Sequence, residues 1–350
     1  MPSLRKEVIA AFRKVVAVIA VILLATYFVS MALGPCLFFA SPQGLDAASR
    51  VMAQLPLSVL MIANFSIPFG VHVGVFFLAI WLLYAAMFVL AWSDAPGFPS
   101  SIRNAHHRMS MAHSNYLVVL PQLAAMALVI VVLLQMLQES AGVQTGGISF
   151  ENPVLGFLSV SYAPFVEELS YRITTIGLLD GLRLVWKTRG HPKHQGTMGA
   201  VRILAITTWK PEKAKELLGL RTIRDSGVKG ISWFEWAMLA VSSGAFGAAH
   251  FLYGGGWEIG KISTAVVSGL VLSFVYLRYG AYAPILLHWF FNYYFGVFDL
   301  ASQLKMPTAE ILGAGIEVLN LGVGTLLAAV LVLTYLARLW SARHQSTQLL

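Results

Sequence analysis

The chain has little charge and almost no cysteine. Charged residues make up 11% of its 350 positions, against roughly 25% in a soluble domain. That scarcity excludes a soluble enzyme and a disordered chain alike. The one cysteine, Cys36, permits no internal disulfide and no paired-cysteine metal site, so the redox compartment stays unread. Lysine and arginine number 24 against 16 acidic residues, a net charge of +8. This basic excess does not describe a nucleic-acid binder, because the cations sit in loops between apolar runs and not along one face. No nucleic acid is expected as a partner.

What the chain has in abundance is apolar sequence: 57% hydrophobic residues and a mean hydropathy of +0.72. The expected fold is therefore an all-α, polytopic membrane helical bundle, with the lipid bilayer as its surroundings. Runs long enough to span lie at about 15–38, 70–92, 115–137, 153–180, 231–253, 262–279, 282–300 and 313–337, about eight transmembrane helices. The first is too long for the apolar region of a cleavable signal. A further apolar stretch, 51–66, is interrupted by Pro56 and Asn64 and closed by Pro68. It reads as a re-entrant or interfacial segment near 44–66.

Basic residues orient the bundle. Arg5, Lys6, Arg13 and Lys14 precede the first run, Arg103 and Arg108 lie in a short loop, and Arg338 and Arg343 follow the last run. The 186–230 stretch carries many more, from Lys187 to Lys229, whereas the loops 138–150 and 254–261 hold only Lys261. Eight spans put every basic cluster on one side, which predicts a multi-pass protein of the cell membrane (the ER membrane in a eukaryote) with both termini cytoplasmic. Within the 186–230 insert, Pro211 and the following EKAKELLGL predict a short amphipathic helix, either lying on lipid headgroups or part of a solvated linker. The group His106, His107, Arg108 and His113 reads as a basic loop and not a metal site, since no carboxylate or cysteine accompanies it.

Ionised residues inside a transmembrane run cost at least about 2.5–3.5 kcal/mol on insertion scales, so they are functional candidates by default. The run 153–180 contains Glu167, Glu168 and Arg172. Glu168 and Arg172 are spaced to share a helix face and pair, whereas Glu167 is turned about 100° away and left free. Such a pair is also what a purely structural clasp between helices would use. The run 231–253 ends in small residues followed by Phe246 and His250, and the run 282–300 places His288 and Asn292 on one face. Three helices each offering a polar group are hard to explain as packing.

These residues resemble, in order, the EExxxR, FxxxH and HxxxN motifs of the CAAX-protease and bacteriocin-processing family, the Rce1-like intramembrane endopeptidases. The resemblance covers roughly 150–300. It divides the chain into N-terminal transmembrane helices (1–149), a protease core (150–300) holding the basic insert 186–230, and a C-terminal helix with a cytoplasmic tail (301–350). The long insert departs from compact members. Other intramembrane protease chemistries lack their signatures here: there is no HExxH, GxGD or GxSG.

The resemblance implies hydrolysis of peptide bonds in membrane-embedded or lipid-modified substrates, prenylated CAAX-type tails among them. In the implied mechanism Glu167 is the base that activates water, His250 holds that water, and His288 with Asn292 stabilises the oxyanion. Glu168, Arg172 and Phe246 support the set. The aromatic stretch Trp289 to Phe295 reads either as a bed for an isoprenoid chain or as ordinary packing. No cofactor is expected; were zinc bound, Glu167, His250 and His288 would be its ligands. Two other classes fit polar residues in a membrane cavity: a proton-coupled transporter, and a non-proteolytic membrane binding or immunity protein.

Overall fold

The computed structural model describes residues 2–104, 114–188 and 197–347, with side chains over 14–104, 114–188 and 198–337. The His106, His107, Arg108 and His113 group, and Arg189 and Lys193 of the insert, lie outside the described residues. Helix dominates, as the composition requires. α1 (Pro2–Ala40) leads through the short α2 (Pro42–Ser49) into a hairpin of β1 (Val51–Val59) and β2 (Ala63–His72), followed by α3 (Val73–Ser93) and α4 (Phe98–Asn104). α5 (Tyr116–Ser140) starts on Asn115, whose side-chain oxygen accepts from Leu117 N while its amide donates to the carbonyls of Ala91, Asp94 and Pro96. One capping residue thus starts a helix and fixes the end of its neighbour.

α6 (Pro153–Glu168) has Asn152 as its N-cap and Pro153 at its first position. It runs without a break through a π-helical stretch, Leu169–Leu178, into α7 (Leu179–Lys187). Thr174 and Thr175 donate their hydroxyls to the carbonyls of Leu169 and Ser170, 2.8 and 2.7 Å away. Hydroxyls inserted into the carbonyl ladder favour the wider turn, and such turns gather at functional sites. α11 (Trp233–Tyr253) opens on a capping box of Ser232 and Glu235. It is followed by α12 (Gly260–Tyr279), by α13 (Tyr282–Trp289), by a second π-helical stretch, Phe290–Tyr294, by α14 (Phe295–Gln303) and by α15 (Ala309–Thr347).

Among the described residues, five helices are long and apolar enough to cross a membrane: Lys14–Ala40, Val73–Ser93, Tyr116–Ser140, Gly260–Tyr279 and Ala309–Ala337. The other three apolar runs contain the motif residues. Two of them are interrupted by π-helical turns, and α11 carries Glu235, Ser242, Ser243 and His250. An all-α membrane bundle is the architecture.

The stretch 51–66 is neither a helical span nor a coil. It forms most of an antiparallel hairpin, with Leu60 and Met61 at the tip in left-handed backbone, φ 51° and 64°. Pro56 and Pro68 forbid a helix here but are tolerated in a two-stranded ribbon, where every strand is an edge. The tip docks on the π-helical turn: Ser58 Oγ meets Ser170 Oγ at 2.9 Å, Met61 N donates to Ser170 Oγ and Leu60 N to Thr174 Oγ1. Tyr162 donates its hydroxyl to Pro56 O.

The insert is a folded cap and not a linker or a surface helix. α8 (Thr197–Trp209), α9 (Pro211–Leu217) and α10 (Ile223–Ser226) close one end of the bundle, with Leu184, Ile203 and Ala214 as a small core of their own. α9 does begin at Pro211, but it buries Glu212, Ala214 and Lys215 instead of presenting an apolar face outward. Lys215 forms a buried ion pair with Glu235 and donates to Gly230 O. Trp209 O accepts from Ala281 N at 2.9 Å, and a Cβ on Gly280 (φ +94°) would lie 2.5 Å from that oxygen, so glycine is required at this turn. The turn at 280 therefore lies inside the cap, while α7 and the start of α11 project past it. That offset brings His250, far along α11, level with His288, only two turns into α13.

Candidate functional site

Four helical segments converge on His288. Its Nδ1 lies 2.8 Å from Glu168 Oε1 and its Nε2 lies 3.6 Å from Glu167 Oε2. Glu168 is completely buried and also accepts from Arg172 Nη1 at 3.2 Å, whereas the Glu167 side chain is 28% exposed. The two adjacent carboxylates therefore occupy different environments: one is braced by an arginine and a histidine, the other faces an imidazole alone and is partly exposed. Nδ1–H of His288 donating to Glu168 leaves Nε2 aimed at the Glu167 carboxylate. Two lone-pair-bearing groups at that separation repel unless a proton or a water lies between them. At 3.6 Å the contact is too long for a direct hydrogen bond, and Glu167 Oε2 has no hydrogen-bond partner among the described residues.

Arg172, also fully buried, reaches across to α12, where Nη2 contacts Gly269 O at 3.4 Å. A Cβ at Gly269 would stand 3.2 Å from that nitrogen and 3.1 Å from Ser243. The guanidinium lies over the Phe246 ring at 4.3 Å. Phe246 is the hinge of the site, with its ring centroid 4.6 Å from that of His250 and 5.8 Å from that of His288. His250 Nδ1 donates to Phe246 O at 2.8 Å, which leaves Nε2 free for another partner. Asn292 donates to Val160 O at 3.1 Å and keeps one amide hydrogen in hand. The small residues before His250 have a packing role: a Cβ on Gly247 would lie 2.4 Å from Val266 of α12.

Phe246, His250, His288 and Asn292 line a cavity of about 650 Å³, joined by Phe157, Phe291 and Phe295 and by the polar side chains of Lys261, Asp299 and Gln303. Glu167 is not one of its lining residues; it stands behind His288, 3.6 Å from Nε2. Of the aromatic stretch after His288, only Phe291 and Phe295 reach this space. Trp289, Phe290, Tyr293 and Tyr294 are buried in a core cluster with Tyr27 and Tyr84, so ordinary packing accounts for most of that stretch.

Two features of the site were not legible beforehand. The Glu168–His288 contact joins residues 120 positions apart, and only the tertiary fold creates it. Lys261, seated 3.8 Å over the Trp257 ring, faces the cavity; the one sequence signal was its isolation as the sole cation of two otherwise uncharged-to-acidic loops. Among the described residues no group of three or more His, Cys, Asp and Glu side chains is placed to hold a metal ion.

No curated protein and no solved structure matches the chain. A family model does: residues 149–294 match the type II CAAX prenyl endopeptidase, Rce1-like, family, a segment that starts just before α6 and ends with the π-helical turn after His288. Every side chain of the convergence described above lies inside that matched segment, which is less than half of the chain.

Proposed function

We propose that this chain is an intramembrane endopeptidase whose base is Glu167. The observation that carries the reading is the unequal carboxylate pair. Glu168 is held by Arg172 and His288, while Glu167, one residue away, is partly exposed with His288 Nε2 at 3.6 Å. A water beside Glu167 gives its proton to the carboxylate as its oxygen attacks the peptide carbonyl carbon. The carbonyl oxygen, now negative, is met by the spare amide hydrogen of Asn292, with His288 beside it. His250 Nε2 holds the attacking water in line. The proton then passes from Glu167 to the leaving nitrogen, the C–N bond breaks, and an amine and a carboxylic acid depart.

Substrates of this reading are membrane-associated peptides, in keeping with the family. The test is cleavage of membrane-anchored peptides, with and without a prenyl-cysteine, by the purified full chain, with products identified by mass. A wild-type protein that cuts none of them, or a Glu167→Gln variant that cuts as well as wild type, sinks the reading.

A further inference from the structure

The ribbon of β1 and β2 stands where a membrane protein rarely leaves backbone exposed. Its base is closed by Val73 N donating to Arg50 O, at the start of the span Val73–Ser93. Its tip reaches Ser170 and Thr174, inside the apolar run 153–180. The ribbon therefore runs beside α6 at membrane depth, about 30 Å long at roughly 3.3 Å per residue. The far side of β1 is covered, with Tyr162 on Pro56 O and Ser170 on Ser58. The far side of β2 differs. Asn64, Phe65, Ser66 and Ile67 are exposed, and among the described residues no hydrogen bond reaches their backbone from outside the ribbon.

The prolines show which groups that edge offers. Pro56 faces Ser66, and Gln54 faces Pro68. Facing residues in an antiparallel pair alternate between exchanging two hydrogen bonds and exchanging none. Proline has no N–H to exchange, so these pairs, together with Ser58 and Asn64, belong to the second set. The hydroxyl of Tyr162 on Pro56 O fits, since that carbonyl then points away from β2. The N–H and C=O of Asn64 and Ser66 likewise point away from β1, in a row along the open edge. Such an edge is not tolerated against lipid; water or another strand has to meet it. Side chains give the ribbon two faces. Gln54, Ser58, Asn64 and Ser66 share one, where Ser66 donates to Gln54 at 3.0 Å, while Phe65 and Ile67, 54% and 43% exposed, occupy the other.

We infer that the outer edge of β2 receives an extended peptide by strand addition, and that this peptide is the substrate. The edge is continuous with the candidate site. Pro56 touches Tyr162 and Ser58 touches Ser170, so the β2 residues facing them, Ser66 and Asn64, lie level with the helical turn of Glu167. A peptide bond inside a helix has its carbonyl engaged in the ladder to the next turn, whereas a strand leaves every second peptide group open on its far side. Main-chain pairing then fixes the class: an extended segment with apolar side chains at alternate positions against Phe65 and Ile67, and no proline where its nitrogen meets the edge. The hairpin lies outside residues 149–294, so the family match says nothing of it. The word substrate rests on the endopeptidase reading above; the strand pairing does not.

The experiment reads the periodicity of capture. Full-length protein carrying Cys36→Ala, Glu167→Gln and Ser66→Cys is mixed in liposomes with lipid-anchored peptides of alternating valine and threonine. One cysteine is moved along the peptide, and disulfide formation with the new thiol is measured. The expected yield alternates every second residue, at least fivefold between neighbours, because strand side chains alternate faces. N-methylation of the peptide nitrogens that meet the edge lowers capture at least tenfold, and N-methylation of the intervening ones changes it less than twofold. With the thiol moved to Asn64, Ser66→Pro removes an outward N–H without touching the ladder to β1, and lowers capture by a similar factor. Should that variant fail to fold, the N-methyl series decides, since it leaves the protein unaltered. Yield without the two-residue period, capture indifferent to N-methylation, or disulfides between two copies of the protein in preference to peptide overturns the inference. In parallel, protein with Glu167 intact is offered the same peptides, with N-methyl groups kept away from the bond to be cut. Cleavage that falls with edge-facing N-methyl groups supports the inference. Capture with the expected period but no cleavage leaves strand addition standing and removes the endopeptidase reading. Cleavage untouched by N-methylation and by Ser66→Pro overturns the inference and leaves that reading in place.

Discussion

α5 and the α6–α7 segment follow one another in the chain, have similar hydrophobic origins and are built to opposite ends. α5 runs for 25 residues as regular helix and buries Leu, Val and Ala side chains along much of its length. The α6–α7 segment is interrupted by a ten-residue π-helical stretch and buries Glu168, Ser170, Arg172 and Thr175 at its centre. The first needs only apolar sequence to be stable in a bilayer. The second is stable only because four other elements supply partners: His288 for Glu168, the Gly269 carbonyl and Phe246 for Arg172, and the hairpin tip for Ser170. Irregular, polar helix marks the candidate site, and the regular helices frame it.

That contrast can be broken at graded cost. The largest effect is expected from Glu167→Gln, which keeps shape and burial but removes the base. Cleavage should fall by at least ~10²–10⁴-fold, with thermal unfolding in detergent unchanged; loss of fold together with activity would mean that Glu167 is structural.

Next comes Arg172→Leu. It strands Glu168 in the interior with His288 as its remaining partner, and breaking one side of a buried pair costs about 3–5 kcal/mol. The unfolding temperature should drop by several degrees, and adding Glu168→Gln should restore part of the loss. An Arg172→Leu protein as stable as wild type would show that the pair is not buried as described.

Ser170→Ala sharpens the comparison on a smaller scale. It removes the hydroxyl that meets Ser58 and Met61 N, at about 1 kcal/mol. Faster backbone exchange at 58–61 should follow, with little change at α5; uniform exchange across both would detach the hairpin from the π-helical turn. The smallest effect is expected from chelation. Prolonged EDTA or 1,10-phenanthroline should leave most cleavage intact, and activity lost to chelator and restored by stoichiometric zinc would overturn the metal-free chemistry.

Much of the site could be read from one dimension because the bilayer makes polarity expensive. Glu167, Glu168, Arg172, His250, His288 and Asn292 stand out against apolar runs for that reason alone. The i, i+4 spacing of Glu168 and Arg172 also predicts their pairing, which the structure contains despite the π-helical turn that begins between them. The hairpin was harder. Pro56, Asn64 and Pro68 signal that no helix passes, but periodicity in so short an apolar stretch does not separate a ribbon from a re-entrant loop. The insert misled in a different way. Its many lysines read as solvated, yet Lys215 is buried because Glu235, on another helix, neutralises it.

Composition alone determined that this chain is an all-α membrane bundle, since the hydrophobic penalty is additive along the sequence and needs no knowledge of contacts. The same additivity exposed the polar residues. Only the tertiary structure decided which carboxylate is braced and which is free, because that depends on a histidine 120 positions away reaching one and facing the other. It also decided that His250 and His288 stand level. That follows from how helices of unequal length are offset against one another, and a turn at 280 held inside a cap of three short helices sets that offset. Nothing local in the chain encodes it.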